Sequence, residues 1–271
     1  MCRFLRWYGS WIDRQLSAVC KPQISRHERI KMRILFVRHG DPDYVNDSLT
    51  EKGKREAALL AERVAKWEVT DFYVSPLGRA QDTAAPGLEK TGRTAETLDW
   101  LREFYAPIDD PIRGEHVIPW DLYPSYWTKI PEMYEKDGFA DTRLMRSGAV
   151  KEEYARVCGG LDKLLEKYGY VREGGVYRTD LRPDVNKEAV IVLFCHMGVT
   201  LFLMGHLLGI SPVVLTSGFF LPPTSVTMLA SEEREPGISY FRCQGAGDTS
   251  HLYLGGEPVS SMGYFTEPFQ G

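Results

Sequence analysis

The chain has 271 residues and a formal net charge of −4, and 43% of its residues are hydrophobic and 26% charged. This length can bury a full core as one large domain, and the composition is ordinary for a soluble globular protein. We expect no nucleic-acid partner, because such proteins usually carry a basic stripe. We also expect no membrane partner, because the longest apolar stretch, residues 201–210, is too short to span a bilayer.

The five cysteines are scattered along the chain without a Cys-x-x-Cys pair. This distribution favours a reducing compartment over a disulfide framework, and it argues against a zinc site. The sequence therefore predicts a cytoplasmic protein.

Residues 1–31 differ from the rest of the chain, since they hold seven Lys or Arg residues against two acidic ones. Charged residues interrupt the apolar positions of this segment, which argues against a secretory signal peptide. We expect a poorly ordered or non-native extension here and a folded domain over residues 32–271. Cys20 and Arg26 have the Cys-x5-Arg spacing of cysteine phosphatases, but no strand or glycine-bearing loop accompanies them, so we interpret the match as chance.

The first predicted element of the domain is a buried strand at residues 35–37, which ends at Arg38, His39 and Gly40. Folds of the α/β class place ligands where strands end on one edge of the sheet. An imidazole beside a guanidinium at that place indicates a nucleophile next to an anion clamp, and Gly40 lacks the Cβ that would keep a ligand from the backbone. A buried structural histidine is the alternative interpretation.

Two further strand ends carry a cationic group or an imidazole. A strand at residues 71–75 leads into a helix whose first turn holds Arg79, although a solvated surface arginine is the alternative. The clearest strand, residues 189–195, ends at His196 and precedes an apolar helix.

A strand at residues 94–98 precedes Glu103, which stands among apolar and aromatic residues. Such surroundings raise the pKa of a carboxyl group by desolvation, as a general acid requires, whereas an exposed surface acid is the alternative. Residues 104–187 are the least regular part of the chain, and we expect an inserted cap there that includes a long amphipathic helix over residues 150–168. The remaining predicted strands lie at residues 224–230, 238–243 and 252–254.

The side chains at these strand ends suit phosphoryl transfer. Each of two guanidiniums can engage two oxygens of a phosphoryl group. A neutral imidazole is a nucleophile toward phosphorus, a second histidine can stabilise charge on a nonbridging oxygen, and a buried carboxylic acid can protonate the leaving alkoxide. Because arginines supply the positive charge, we expect neither a metal ion nor another cofactor.

Five short blocks follow one another along the chain. They are Arg38-His39-Gly40, Leu49-Thr50-x-x-Gly53, Ser75-Pro76-Leu-x-Arg79-Ala-x-x-Thr83-Ala, Leu101-x-Glu103 and His196-x-Gly198. Together they resemble the histidine phosphatase superfamily, also called the phosphoglycerate mutase-like family, over about residues 33–229. The family's second branch takes its acid from an aspartate after the second histidine. Met197 stands at that place here, which favours Glu103 and branch 1.

The resemblance implies an α/β fold, specifically a three-layer α/β/α sandwich with a mostly parallel central sheet. It implies a phosphohistidine intermediate on His39, with Arg38, Arg79 and His196 in the phosphate pocket. Glu103 would donate a proton to the leaving group and then act as the base that activates water.

Three further residues are expected to bind the substrate or its phosphate: Gly40, Asn46 and Met197. Met197 stands where many members have glycine, although its backbone N–H can still point at phosphate. The residues after Glu103 lack the Arg-His-Tyr-Gly continuation that is typical of the true mutases, which argues against mutase activity.

The sequence therefore predicts an enzyme, a metal-independent phosphomonoesterase of the histidine phosphatase type, whose partner is a small phosphorylated metabolite. Phosphoglycerate mutase-type phosphoryl transfer is one alternative. A non-catalytic phosphate-binding or regulatory protein of the same fold is another. The identity of the substrate and the oligomeric state stay open at this point.

Overall fold

The computed structural model describes residues 32–264 and 267–269. The strands among these residues are β1 (Arg33–Arg38), β2 (Pro42–Asp43), β3 (Ser48–Leu49), β4 (Asp71–Val74), β5 (Ala95–Thr97), β6 (Ile108–Asp109), β7 (His116–Val117), β8 (Val171–Glu173), β9 (Val176–Arg178), β10 (Val190–Cys195), β11 (Val226–Glu235) and β12 (Ile238–Asp248). The α-helices are α1 (Glu51–Val64), α2 (Gly78–Thr91), α3 (Pro124–Trp127), α4 (Val150–Glu166), α5 (Met197–Leu208), α6 (Pro212–Gly218) and α7 (Ser250–Gly255). Within the described part of the chain, no helix has the length and apolarity needed to cross a membrane.

The predicted N-terminal extension, residues 1–31, lies outside the described residues, and so does the Cys20 to Arg26 match. The expected start of the folded domain near Met32 therefore stays a prediction.

Eight strands form one sheet in the order β5-β4-β10-β1-β11-β12-β9-β8. The first four of them run parallel, whereas every pair from β1 to β8 is antiparallel. The predicted three-layer α/β/α fold is confirmed, but the sheet is mixed and parallel in one half only. The antiparallel half consists of hairpins, whose turns contain Gly174 and Gly237 with φ values of +58° and +78°. Such tight turns reverse the chain, whereas parallel neighbours need a long crossover.

The two faces of the sheet bury separate cores, as the alternation along β1 shows. Leu35 and Val37 belong to a core with α1 and α2, whereas Ile34 and Phe36 belong to a core with α4 and α5. Successive side chains of a strand point to opposite faces, so an apolar run such as β1 requires helices on both sides.

The predicted insertion at residues 104–187 divides into two structurally different parts. Residues 104–149 contain the small β6–β7 hairpin, α3 and three 3-10 helices, and they add no strand to the large sheet. The long helix α4 packs against the sheet through Val157 and Leu161, and the hairpin β8–β9 extends the sheet beyond β12. Residues 150–178 thus contribute a helix and two strands to the main body, whereas residues 104–149 are irregular, and their role as a cap stays a prediction.

The strand predicted at residues 252–254 is wrong, because these residues lie in α7. Leu252 is buried, whereas Tyr253 and Leu254 are exposed, so this apolar triplet shows no strand alternation. Gly256, in the left-handed conformation with φ 68°, ends the helix, which is a common role of glycine at this position.

Candidate active site

The two histidines meet because the strands that carry them are parallel neighbours in register. Arg38 at the end of β1 pairs with Cys195 at the end of β10, so the next residues, His39 and His196, lie side by side. The backbone N–H of His39 donates to the carbonyl of Cys195 at 2.9 Å. The imidazole ring centroids are 5.1 Å apart. The sheet therefore brings together two side chains that are far apart in the sequence.

His39 is held in one tautomer by its own backbone. Its Nδ1 lies 2.8 Å from the carbonyl oxygen of Gly40. A carbonyl oxygen only accepts, so Nδ1 carries the proton and Nε2 keeps its lone pair. Burial and the adjacent Arg38 lower the pKa of His39 to about 3. The ring is therefore neutral near pH 7, the state that a nucleophile requires.

His196 is fully buried and bonded to Ser75, which follows β4. Its Nε2 lies 2.7 Å from the Ser75 Oγ, and the backbone N–H of Leu77 donates to the same oxygen at 3.3 Å. The hydroxyl can therefore donate its proton to Nε2, which places the imidazole proton on Nδ1. Nδ1 is buried without a partner among the described residues. Burial, with His39 and the nearby arginines, holds the pKa of His196 well below its usual value.

Arg38 is buried and donates hydrogen bonds to two backbone carbonyl groups that are distant from it in the sequence. Its Nη1 donates to Leu221 O at 2.6 Å, and its Nη2 donates to Met262 O at 2.9 Å. The Met197 sulfur lies 3.7 Å from Nη1. Burial lowers the pKa of the guanidinium. The segment near Met262 thus lies directly beside an arginine that is predicted to bind phosphate.

Arg79 lies in the first turn of α2 and is oriented by Asp47. Its Nη1 lies 2.5 Å from Asp47 Oδ1, and Asp47 Oδ2 accepts from the backbone N–H of Gly78 at 2.7 Å. The guanidinium also lies 5.4 Å from the ring centroid of Tyr44. Its Nε is buried without a partner in the described structure. Asp47 therefore holds one end of the guanidinium, while Nε has no hydrogen-bond acceptor among the described residues.

Glu103 is attached to the N-terminus of α5. Its Oε1 accepts from the backbone N–H groups of Phe104 and Val199, both at 2.8 Å, and its Oε2 accepts from Gly198 at 3.2 Å. Burial raises the pKa of this carboxyl group, and the three N–H groups oppose that shift in part. A Cβ on Gly198 would lie 2.8 Å from Glu103 Oε1 and 2.5 Å from the Trp120 ring, so only glycine allows this approach.

Gly40 has a packing reason to be glycine. Its N–H donates to the Thr83 hydroxyl at 2.9 Å, and an added Cβ would lie 2.9 Å from the carbonyl oxygen of Gly53. The space left by the missing side chain is thus filled by the start of α1, and the N–H is already bonded within the protein.

The other two predicted substrate-binding residues differ in their surroundings. Asn46 is exposed, and its amide donates to Asp43 Oδ2 at 2.8 Å. Met197, the first residue of α5, lies beside Arg38 and lines an adjoining cavity of about 520 Å³. Their predicted contacts with substrate stay predictions.

The structure thus brings the five predicted catalytic residues to one edge of the sheet. Sequence reasoning gave no role to Ser75 or Asp47, although Ser75 opens one of the five blocks and could have been singled out there. Among the described residues, no group of three or more His, Cys, Asp or Glu side chains is arranged to hold a metal ion.

Comparison with known proteins agrees with these features. A family model described as histidine phosphatase superfamily (branch 1) matches residues 34–111, which include Arg38, His39, Arg79 and Glu103. The resemblance seen in the sequence blocks is thereby confirmed. A probable phosphoglycerate mutase from Serratia proteamaculans is 28% identical over 143 residues, which cover 49% of this chain and 63% of the relative. The match thus spans less than two thirds of that relative's length.

Several solved structures share the fold. A mycobacterial glucosyl-3-phosphoglycerate phosphatase is 21% identical with a TM-score of 0.53, over 80% of this chain and 99% of that chain. A phosphoserine phosphatase variant from Entamoeba histolytica in complex with phosphoserine is 18% identical with a TM-score of 0.51, over 82% and 99%. A phosphoglycerate mutase from Bacillus anthracis is 17% identical with a TM-score of 0.55, over 84% and 98%. Because phosphatases and a mutase share it, the fold does not separate the two reactions.

Proposed function

We propose that this chain belongs to branch 1 of the histidine phosphatase superfamily, whose model it matches over residues 34–111, and that it is a phosphomonoesterase acting through a phosphohistidine on His39. The substrate is a small molecule that carries a phosphate monoester. The observation that carries the proposal is the state of His39. Its Nδ1 proton is held by Gly40 O at 2.8 Å, and burial keeps the ring neutral, so Nε2 presents a free lone pair.

The proposed reaction has two displacements at phosphorus. In the first, His39 Nε2 forms a bond to phosphorus while the bond to the ester oxygen breaks, and that oxygen takes the proton of Glu103. In the second, Glu103 removes a proton from water, the water oxygen attacks phosphorus, and the electron pair of the P–N bond returns to Nε2. Inorganic phosphate leaves, and both side chains recover their starting protonation states.

Charge stabilisation in this scheme comes from side chains. The guanidiniums of Arg38 and Arg79 face the developing charge on the nonbridging oxygens. The Nδ1–H of His196, which has no other partner in the described structure, adds a neutral donor. The proposed reaction therefore proceeds without a metal ion.

A cytoplasmic, reducing location is part of the proposal. Within the described residues, Cys158, Cys195 and Cys243 are free, and the first two are buried. Burial raises the pKa of the Cys158 thiol and raises that of Cys195 to about 12. Buried, protonated thiols of this kind are chemically inert and fit a protein that does not rely on disulfides.

The first experiment is a phosphate-release assay with p-nitrophenyl phosphate in the presence of EDTA. We expect activity that persists in EDTA and is lost in His39→Ala, together with an acid-labile phosphoenzyme in the wild-type protein alone. His116→Ala is the matched control, because that histidine is exposed and lies outside the site. Activity that disappears with EDTA, or that survives in His39→Ala, would contradict the proposal.

The products formed by the same protein preparation distinguish the phosphatase from the two alternative functions. Isomerised product without inorganic phosphate would identify phosphoglycerate mutase-type transfer, which the Serratia relative's name favours. Phosphate binding without any phosphoenzyme would identify a non-catalytic phosphate-binding or regulatory protein.

A further inference from the structure

We infer that the cavity beside the candidate active site receives a flat, uncharged aromatic group, so that the preferred substrates are phosphate monoesters of aromatic alcohols rather than carboxylated phosphate esters. This inference rests on the proposed function, because it takes the phosphate to be bound at His39.

The cavity, of about 520 Å³, is walled by aromatic side chains from three separate segments. These side chains are Trp120, Tyr123, Trp127, Phe219, Phe220 and Tyr264. The rings of Phe220 and Tyr264 are stacked, with centroids 4.3 Å apart and planes inclined by 16°. The volume is typical of a small-molecule pocket, and aromatic faces favour flat ring systems as contacts. The shape and lining thus indicate a planar apolar occupant.

The cavity borders the two groups between which an ester would be cleaved. The Phe220 ring centroid lies 5.8 Å from Arg38 Cζ, on the phosphate side. The Trp120 ring packs against Gly198, whose N–H donates to Glu103. Because the proposed acid Glu103 protonates the leaving oxygen, the organic group attached to that oxygen lies on the Trp120 side. The organic group of a bound ester therefore extends into the aromatic cavity.

The charges around the cavity disfavour a substrate carboxylate. Among the residues that the structure describes, the lining contains no Lys, Arg or His, and its one carboxyl side chain belongs to Asp121. The nearby Arg113 is already committed, since its Nε binds Asp110 Oδ2 at 2.6 Å and its Nη1 binds Asp121 Oδ2 at 3.2 Å. Its guanidinium also lies 5.0 Å from the ring centroid of Tyr123. Within the described lining, a carboxylate would thus meet the Asp121 side chain and no unpaired cation that could bind it.

The test compares substrates whose leaving groups are all alkyl alcohols, so that their rates report binding of the organic group. We expect kcat/KM for 2-naphthylmethyl phosphate to exceed that for 3-phosphoglycerate by at least about tenfold, roughly the effect of one favourable ring contact plus one avoided unpaired charge. Benzyl phosphate and 4-carboxybenzyl phosphate form the matched pair, and the added carboxylate should lower kcat/KM by a similar factor.

Two tyrosine variants test whether the cavity is the place where the aromatic group of the substrate binds. Tyr264→Ala should lower kcat/KM for the naphthylmethyl ester by roughly three- to tenfold, mainly through KM, because one stacking face is lost. Tyr253→Ala is the matched control, since this tyrosine is exposed on α7 and outside the cavity. An equal loss in both variants would overturn the assignment of the cavity.

Binding of 2-naphthylmethyl phosphonate and 4-carboxybenzyl phosphonate, which cannot be hydrolysed, is measured in parallel by calorimetry. Selective binding of the naphthyl compound without turnover of any ester would refute the proposed phosphatase function and leave the cavity assignment standing. Equal or tighter binding of the carboxylated compound would refute the inference, whether or not the protein releases phosphate.

Discussion

Glu103 Oε1 lies 2.8 Å from the backbone nitrogen of Val199, so the candidate acid is fixed to the helix that begins directly after His196. A helix N-terminus stabilises a carboxylate through its free N–H groups and dipole, whereas burial stabilises the neutral acid. At Glu103 burial prevails, and its pKa is raised. A carboxyl group subject to these opposing influences can both release and regain a proton, as the two proposed displacements require.

Glu103→Gln should slow phosphoenzyme formation from alkyl phosphates by about a hundredfold or more, and much less from p-nitrophenyl phosphate, whose leaving group needs little protonation. Rapid-quench measurement of phosphoenzyme formation isolates this step. Because a raised pKa keeps the acid protonated to higher pH, the wild-type rate should fall on the alkaline side, and the variant should lack that fall.

Glu89→Gln is the control for this variant, since Glu89 is an exposed acid near the C-terminal end of α2. If Glu103→Gln left both classes of ester unaffected, the acid would have to be sought at Asp109, Asp110 or Glu115. Of these, Asp110 is already bonded to Arg113 and has a lowered pKa, which suits a proton donor poorly.

Ser75→Ala should lower kcat/KM about tenfold to a hundredfold by releasing His196 Nε2, so that the Nδ1 proton is no longer fixed toward the substrate. The ¹⁵N resonances of the His196 ring should show a changed tautomer. Ser225→Ala is a matched control, because the Ser225 hydroxyl is buried without a partner among the described residues. An unchanged His196 spectrum in Ser75→Ala would exclude this positioning role.

Buried neutral histidines should make the protein less stable in acid. Folded His39 takes up its proton near pH 3, whereas the ordinary value of 6.5 applies after unfolding. Between these values the unfolded state binds more protons, so the free energy of unfolding rises with pH and falls as the solution is acidified. One such proton contributes up to about 1.4 kcal/mol per pH unit.

We therefore expect His39→Asn to reduce the slope of stability against pH between about pH 4 and pH 6 by up to that amount. Urea unfolding at several pH values measures the slope, and His116→Asn should retain the wild-type slope. His251, whose pKa is lowered to about 4 by burial, will preserve part of the acid sensitivity in both variants. Identical slopes for His39→Asn and wild type would show that the His39 imidazole does not cause the loss of stability in acid.

Gly40→Ala should destabilise the fold by about 1–3 kcal/mol, because the new Cβ would press on the backbone carbonyl of Gly53 at 2.9 Å. Gly159→Ala is the matched comparison, since a Cβ on this exposed residue of α4 would meet no atom within 4 Å. It should stabilise the helix by up to about 1 kcal/mol. Thermal unfolding of the two variants in parallel should give shifts of opposite sign.

Local patterns predicted the parallel half of the fold correctly. The apolar runs that become β1 and β10 are long enough to identify as strands, and the polar residues that follow them mark the edge where the site lies. The hairpin β8–β9 was missed, because each strand has three residues and contains polar side chains, and such segments become strands only by pairing with β12. The strands predicted at residues 224–230 and 238–243 are confirmed, because they coincide with parts of β11 and β12. What was not predicted is that β11 pairs antiparallel with β1 and so makes the sheet mixed.

The sequence by itself determined which side chains stand at the strand ends, since the order of strand, functional residue and helix is local and repeats along the chain. Only the tertiary structure decided what holds them. Ser75 reaches His196 across 121 positions, Met262 reaches Arg38 across 224, and Glu103 reaches Val199 across 96. Contacts between such distant segments depend on how the whole chain packs, because no local periodicity or propensity encodes which remote backbone group will lie beside a given side chain.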